Sequence, residues 1–404
     1  MEKTSSKSNI IITALITGIC LLTDSMLYIA LPLYWKEAGL SSLIEVGLLL
    51  SVNRLIRIPL NPFAAFITRT LNLRPSLLLA ICLTIIVNIG FFSLNGLLFW
   101  LILRCVWGFA WALLRLTGQL MVVQLSTNSN KGHLMGMYNG TYRLGSLAGM
   151  TIGGFLCYQI GLKLTCLVFA CICSLAIPFI FFLSYKSLPP RQESRIIKLS
   201  LLKKRGIQLS LFRGFIVSFL LQGVFLSTVS FYLSKHYGGT LTFNGILLTS
   251  GVVSGLLLGM RWAWEPFLAP FIGRVSDGKW GRQSILLSAL LIIGSLYPFM
   301  DSQLPFMIWG LIIIAILICS TIITTLTDTL VSDEAYQIEG RTSLINYYSI
   351  AVDFGAALGP LIAYQFITEG KLFLFLCSGL AICLAMISSN EHLKQKDKCS
   401  SVTQ

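Results

Sequence analysis

The sequence predicts an all-α membrane protein, with twelve transmembrane helices in two pseudo-symmetric six-helix bundles. Three observations predict it. Hydrophobic residues make up 55% of the chain, charged residues 11%, and the mean hydropathy is +0.80, a composition too poor in charge for an ordinary soluble domain. Apolar runs that approach or exceed the roughly 20 residues needed to cross a bilayer recur from end to end. The chain also repeats itself half-way along. Pro62-Phe63-Ala-Ala-Phe-Ile-Thr-Arg69-Thr-Leu-Asn-Leu-Arg74-Pro-Ser76 aligns without a gap with Pro270-Phe271-Ile-Gly-Arg-Val-Ser-Asp277-Gly-Lys-Trp-Gly281-Arg282-Gln-Ser284. Each copy is a short basic stretch between two apolar runs, as expected of two similar halves joined head to tail.

Twelve spans are expected at approximately 10–34, 43–68, 76–95, 97–124, 134–159, 164–184, 211–234, 242–268, 284–300, 305–328, 342–367 and 371–388. The first is too long for a signal peptide, contains Asp24 and lacks a small-x-small cleavage site, so it is read as retained. The net charge of +14 suggests nucleic acid until its placement is considered. With the N-terminus inside, the inner segments carry nineteen Lys and Arg. The outer loops carry four: Lys36, Lys163, Lys235 and Lys371. This asymmetry puts both termini in the cytoplasm of a multi-pass cell-membrane protein and leaves no nucleic-acid surface. Residues 1–184 form the N-terminal bundle, 185–210 a basic cytoplasmic linker, and 211–404 the C-terminal bundle with a short cytoplasmic tail. The linker's Ile196, Ile197, Leu199, Leu201 and Leu202 among basic residues suggest a helix on the inner membrane surface.

The eleven Cys have no paired spacing and the three His fall in loops, so no metal site, disulfide framework or cofactor is expected. No nucleophile or phosphate motif indicates catalysis, and the short termini offer no signalling domain. The partners expected are a small-molecule substrate, protons and the bilayer, with the protein acting as a monomer.

Polar residues inside the spans are the candidate site, because charge in the bilayer is costly. The first span holds Asp24, followed by Pro32. The second holds Asn53, Arg54, Arg57 and Asn61, of which 54, 57 and 61 share one helical face; Arg57 lies at about the depth of Asp24 and is a candidate partner. In the fourth span Arg104, Gly108, Trp111, Arg115 and Gln119 form one stripe at helical spacing. The fifth has Gly136, Gly145, Gly149, Gly153 and Gly154, intervals that let another helix approach closely. The eleventh span echoes the fifth. Tyr138, Gly145 and Gly149 meet Tyr348, Gly355 and Gly359, and Arg143 meets Asp353. Gln222 in the seventh span adds a polar group for substrate.

Three of these patterns resemble motifs of the major facilitator superfamily. Asp277, Gly281 and Arg282 resemble its cytoplasmic loop signature, Gly-x-x-x-Asp-Arg-x-Gly-Arg-Arg. The first copy is degenerate: Arg69 stands where the Asp belongs, Asn72 and Leu73 interrupt the Gly-Arg pair, and Arg74 remains. Arg104 with Gly108 resembles the fourth-span Arg-x-x-x-Gly. The glycines of the fifth span resemble the antiporter motif Gly-x8-Gly-x3-Gly-Pro-x2-Gly-Gly, with Met150 in place of Pro. The resemblance implies the superfamily's fold and alternating access, and the twelve-span drug:proton antiporters are the group it points to. It implies proton coupling through Asp24 and Arg104, to which depth and the half-chain repeat add Arg57, Arg143 and Asp353. It also implies gating at Asp277, Gly281, Arg282 and Arg74. Substrate contacts are read at Trp111, Arg115, Gln119 and Gln222. Six intramembrane Arg (54, 57, 104, 115, 143, 261) face four acids (24, 265, 328, 353), which makes an anionic or zwitterionic amphiphile at least as good a substrate as a lipophilic cation. A proton-coupled metabolite importer and a lipid or lysolipid flippase are the alternatives on the same fold.

Overall fold

A computed structural model of the protein describes residues 2–126, 131–183, 205–243, 246–278, 281–336 and 341–402. Most of the 185–210 linker, with its expected surface helix, lies outside the described residues. Helix α1 (Glu2–Tyr34) covers the first span. The second is broken into α2 (Leu43–Leu55) and α3 (Arg57–Leu71). Pro59 explains the break: it has no N–H for the carbonyl of Leu55, four residues earlier. Next come α4 (Leu73–Ser93) and α5 (Leu97–Leu125). Helix α6 (Lys131–Ser174) is two helices meeting at Gly161, whose φ of 83° no β-carbon-bearing residue adopts easily. Just beyond that corner the N–H of Leu162 donates to Glu37 at 2.9 Å, so a carboxylate from the turn after α1 caps the new helix. A short α7 (Ile177–Phe181) follows.

The second half opens with α8 (Arg205–Ser218), a π-helical segment (Phe219–Phe225) and α9 (Leu226–Tyr237). A β-hairpin comes next, β1 (Thr240–Phe243) antiparallel to β2 (Ile246–Thr249). It occupies the start of the expected eighth span, and the helix α10 begins only at Ser250 (Ser250–Ser276). The chain continues as α11 (Arg282–Leu296), a 3-10 turn (Tyr297–Asp301), α12 (Phe306–Tyr336), α13 (Arg341–Gln365) and α14 (Gly370–Val402). Among the described residues eight helical stretches are long and apolar enough to cross a membrane, and one of these, His133–Phe181, includes the Gly161 corner. The expected spans outside those eight, at α2–α3, α10 and α13, carry Arg57, Arg261 and Asp353.

Packing gathers the chain into two units, Met1–Arg191 with Val229–Ala263, and Gln192–Thr228 with Trp264–Gln404. In the first, α6 lies along α1. A β-carbon at Gly145 would strike the backbone of Gly18, one at Gly149 the backbone of Leu22, and one at Gly153 the side chain of Met26. In the second, α13 lies along α8 and the π-helical segment in the same way: Gly355 meets the backbone of Phe215 and Gly359 that of Gly223. The hydroxyl of Tyr364 donates to the carbonyl of Ser227 at 2.6 Å. The half-chain repeat therefore reappears as repeated packing.

The repeat's register shifts at the basic loops. Gly281 has φ 69° and precedes α11, while Asn72 has φ 69° and precedes α4. The structural equivalent of Gly281 is Asn72, not Leu73 as the gapless alignment implied. The extra residue between Asp277 and Gly281 accounts for the slip. Asn tolerates a positive φ better than other β-carbon-bearing residues do, so the degenerate copy keeps the backbone turn while losing the acid.

Candidate functional site

The candidate site is built where α1, α2 and α5 meet in the first unit. Gly18, Leu22 and Met26 turn one face of α1 to the glycines of α6. Asp24 is half a turn from Leu22 and from Met26, so it points the other way, toward α2 and α5. There its Oδ1 accepts from Arg104 Nη1 at 2.6 Å and from Asn53 Nδ2 at 2.9 Å. The Arg104 side chain is fully buried and that of Asp24 is 8% exposed. Arg104 Nε donates to the carbonyl of Leu49 at 3.0 Å, and Arg57 Nη2 donates to Asn53 Oδ1 at 3.1 Å. An ion pair this buried is held only because charge-assisted bonds at short distance offset its desolvation.

Gly108 explains why the Arg-x-x-x-Gly spacing belongs here. A β-carbon at Gly108 would collide with the Ile56 side chain and come within 2.9 Å of the Asn53 carbonyl. Glycine one turn after Arg104 therefore lets α2 press against α5, which brings the Leu49 carbonyl and the Asn53 amide within reach of the arginine and the aspartate. Asn53 lies between Asp24 and Arg57, bonded to both, and the salt bridge to Asp24 comes from Arg104.

Aromatic rings continue the site. The guanidinium of Arg57 lies 5.6 Å from the Trp111 ring centroid, cation–π distance. Trp111 meets Trp107 at 6.4 Å and Tyr142 at 5.9 Å, and Tyr142 meets Tyr138 at 5.2 Å. Arg54 donates to the Tyr28 hydroxyl at 3.1 Å. Farther along the fourth-span stripe, Arg115 is exposed and Gln119 half-buried. Arg143 lies 5.2 Å from the Trp262 ring of α10, and Arg261 lies 5.5 Å from it. Of the five fifth-span glycines, Gly145, Gly149 and Gly153 face α1. Gly154 faces Gly251 of α10, with 2.6 Å from an added β-carbon to the Gly251 carbonyl. Gly136 has open space around it.

In the second unit, Arg282 holds Asp277 through Nε at 2.9 Å and Nη2 at 2.7 Å, and Nη1 binds Asp333 of α12. Gln222 is half-buried within the π-helical segment, and Asp353 is half-buried on α13. Arg74, at the equivalent loop of the first half, is exposed. The Tyr348 hydroxyl donates to Asp328 at 2.8 Å. Sequence reasoning did not assign Asn53, the Leu49 carbonyl or the Tyr348–Asp328 bond. A polar residue four positions before Arg57 was the available signal for the first.

The Major Facilitator Superfamily model matches residues 13–360. The chain belongs to the major facilitator superfamily. It is 24% identical over 272 residues to the uncharacterized MFS-type transporter YfkF of Bacillus subtilis (strain 168). That match covers 67% of this chain and 65% of the relative, so the chain spans slightly less than two thirds of the curated relative's length. Among solved structures it resembles a POT family transporter in complex with 5-aminolevulinic acid, with TM-score 0.76, 11% identity and 94% of each chain covered. It also resembles the nucleoside transporter NupG, with TM-score 0.70, 14% identity, and 96% of this chain and 98% of that one covered. At these identities the structures establish the fold alone, and it is the match to the superfamily model that marks the chain as a multi-pass membrane protein of the transporter fold.

Proposed function

We propose that this protein is a proton-coupled secondary exporter of a small amphiphilic molecule, closest in kind to the drug:proton antiporters. Two bundles, residues 1–184 and 211–404, joined by the basic 185–210 linker, rock about a site near the bilayer midplane. Both termini are cytoplasmic, in the cell membrane. The observation that carries this reading is the buried Asp24–Arg104 pair at 2.6 Å. A carboxylate that neutralises an arginine when charged and releases it when protonated gives the bundle two electrostatic states, which is what coupling to a proton requires. The glycines pressed on the opposite side of α1 support the same reading, since they hold the carboxylate-bearing helix against α6. Asp353 is the second candidate proton carrier, and Arg143 stands at its equivalent position in the first half.

The excess of intramembrane arginine over acid favours an anionic or zwitterionic substrate met by Arg115, with Trp111, Gln119 and Gln222 beside it. The test is a solute panel offered to proteoliposomes under an imposed pH gradient. Export requires that solute move against the inward flow of protons. Co-directional movement would instead identify an importer, and movement of labelled lysolipid between leaflets a flippase.

A further inference from the structure

Asn53 stands between the acid and a second arginine. It is fully buried. Its Nδ2 donates to Asp24 Oδ1 and its Oδ1 accepts from Arg57 Nη2. Only this orientation of the amide is complementary, because turning it over would set a carbonyl against a carboxylate and an NH2 against a guanidinium. Arg57 in turn lies over the Trp111 ring. The chain of contacts is therefore continuous from Asp24 on α1, through Asn53 on α2 and Arg57 on α3, to Trp111 on α5.

Both donors to Asp24 use Oδ1, which leaves Oδ2 as the oxygen that accepts a proton. The charged groups facing the aspartate are Arg104 from α5 and, through Asn53, Arg57 from α3. Arg54 is held by Tyr28, one turn beyond Asp24 on α1. One turn before it, Cys20 meets the Cys173 thiol of α6. The α6 glycines that pack on the opposite face of α1 bring no charge there.

From these bonds we infer that Asn53 is a positioning residue that relays the protonation state of Asp24 to Arg57 and its stacking on Trp111. The coupling is electrostatic. A carboxylate behind the amide NH2 polarises the amide, making its carbonyl a stronger acceptor for Arg57, because hydrogen bonds in a chain reinforce one another in a low-dielectric interior. A proton arriving from water at Oδ2 removes the negative charge and leaves a neutral acid. The Asn53–Asp24 bond then loses its charge assistance, the amide depolarises, and the guanidinium is held less firmly against Trp111. An alkyl side chain in place of Asn53 breaks the relay at both ends without touching either charged group.

The inference rests on Asp24 being the proton site, and the experiment reads the two separately. In the purified full-length protein, the carboxylic-acid carbonyl band of infrared difference spectra, assigned to Asp24 by its loss in Asp24→Asn, follows the proton. Trp111 emission, isolated by subtracting the Trp111→Phe variant, follows Arg57. In the unmodified protein both signals change over one pH range. In Asn53→Leu the acid band assigned to Asp24 persists, and the Trp111 step disappears. Asn53→Thr keeps a polar group at the buried position but cannot span Asp24 and Arg57 together. It too loses the Trp111 step and serves where the leucine variant does not fold. An undiminished Trp111 step in either folded variant overturns the relay while leaving Asp24 as the proton site. Absence of an Asp24 band in the unmodified protein overturns the proton reading and the relay with it.

Discussion

At the scale of single residues, a buried charge needs a partner as buried as itself. Arg104 has no exposure and its Asp24 partner very little, so removing one of them strands the other. Arg104→Met is expected to destabilise the folded protein by about 3–5 kcal/mol, the usual cost of breaking a buried pair from one side. Arg104→Met combined with Asp24→Asn should recover a large part of that loss, because no uncompensated charge then remains; thermal unfolding in detergent measures both. Equal loss in the single and double variants would mean that Arg104 acts through its bond to Leu49 alone. Arg115 makes the opposite prediction. It is exposed on the same stripe, so its guanidinium is available to a ligand, and Arg115→Gln should leave stability nearly unchanged. Transport of anionic solutes should fall much more than that of cationic ones. Equal loss for both charge types would assign Arg115 a structural task.

At the scale of elements, glycine position decides the packing of α1 on α6. Gly145→Val places a β-branched side chain against the rigid backbone of Gly18 and should cost roughly 1–3 kcal/mol as overpacking. Gly136→Ala meets open space and should be neutral or gain about 0.5–1 kcal/mol from helix propensity. A thermal shift of the same size in both would refute the proposed seam. Gly145, Gly149 and Gly153 were legible in the sequence because close helix approach needs a small residue on every turn of one face, and spacing reveals that. The break in the second span was not read, although Pro59 marks it. The hairpin at 240–249 was not read, although Asn244-Gly245 between two Thr- and Leu-containing segments is a strong hairpin signal; an apolar run long enough to cross a bilayer masked it. The π-helical segment around Gln222 left no such mark, because a widened turn depends on what packs against it, here Gly359 on Gly223. Asn53 was visible as a polar residue in a span. Its bridging role depends on which helix Gly108 lets approach, and no single segment of sequence contains that.

At the scale of the whole molecule, the proposed transport cycle calls on the basic loops as well as the buried pair. Arg282 ties Asp277 to Asp333 of α12, whereas the first-half loop keeps the turn at Asn72 without the acid. Asp277→Ala should therefore shift the population toward the inward-facing state. Cysteines placed near the inner and outer helix ends would label faster on the inside and slower on the outside, and unchanged labelling on both faces would remove Asp277 from gating. The central claim is that a proton on Asp24 drives the movement of solute. It is tested most directly by reconstituting the unmodified protein and Asp24→Asn into liposomes with an imposed pH gradient, then measuring solute accumulation and solute exchange side by side. The account predicts that Asp24→Asn still exchanges solute across the membrane but no longer accumulates it when the gradient is applied. Full gradient-driven accumulation by Asp24→Asn would contradict it.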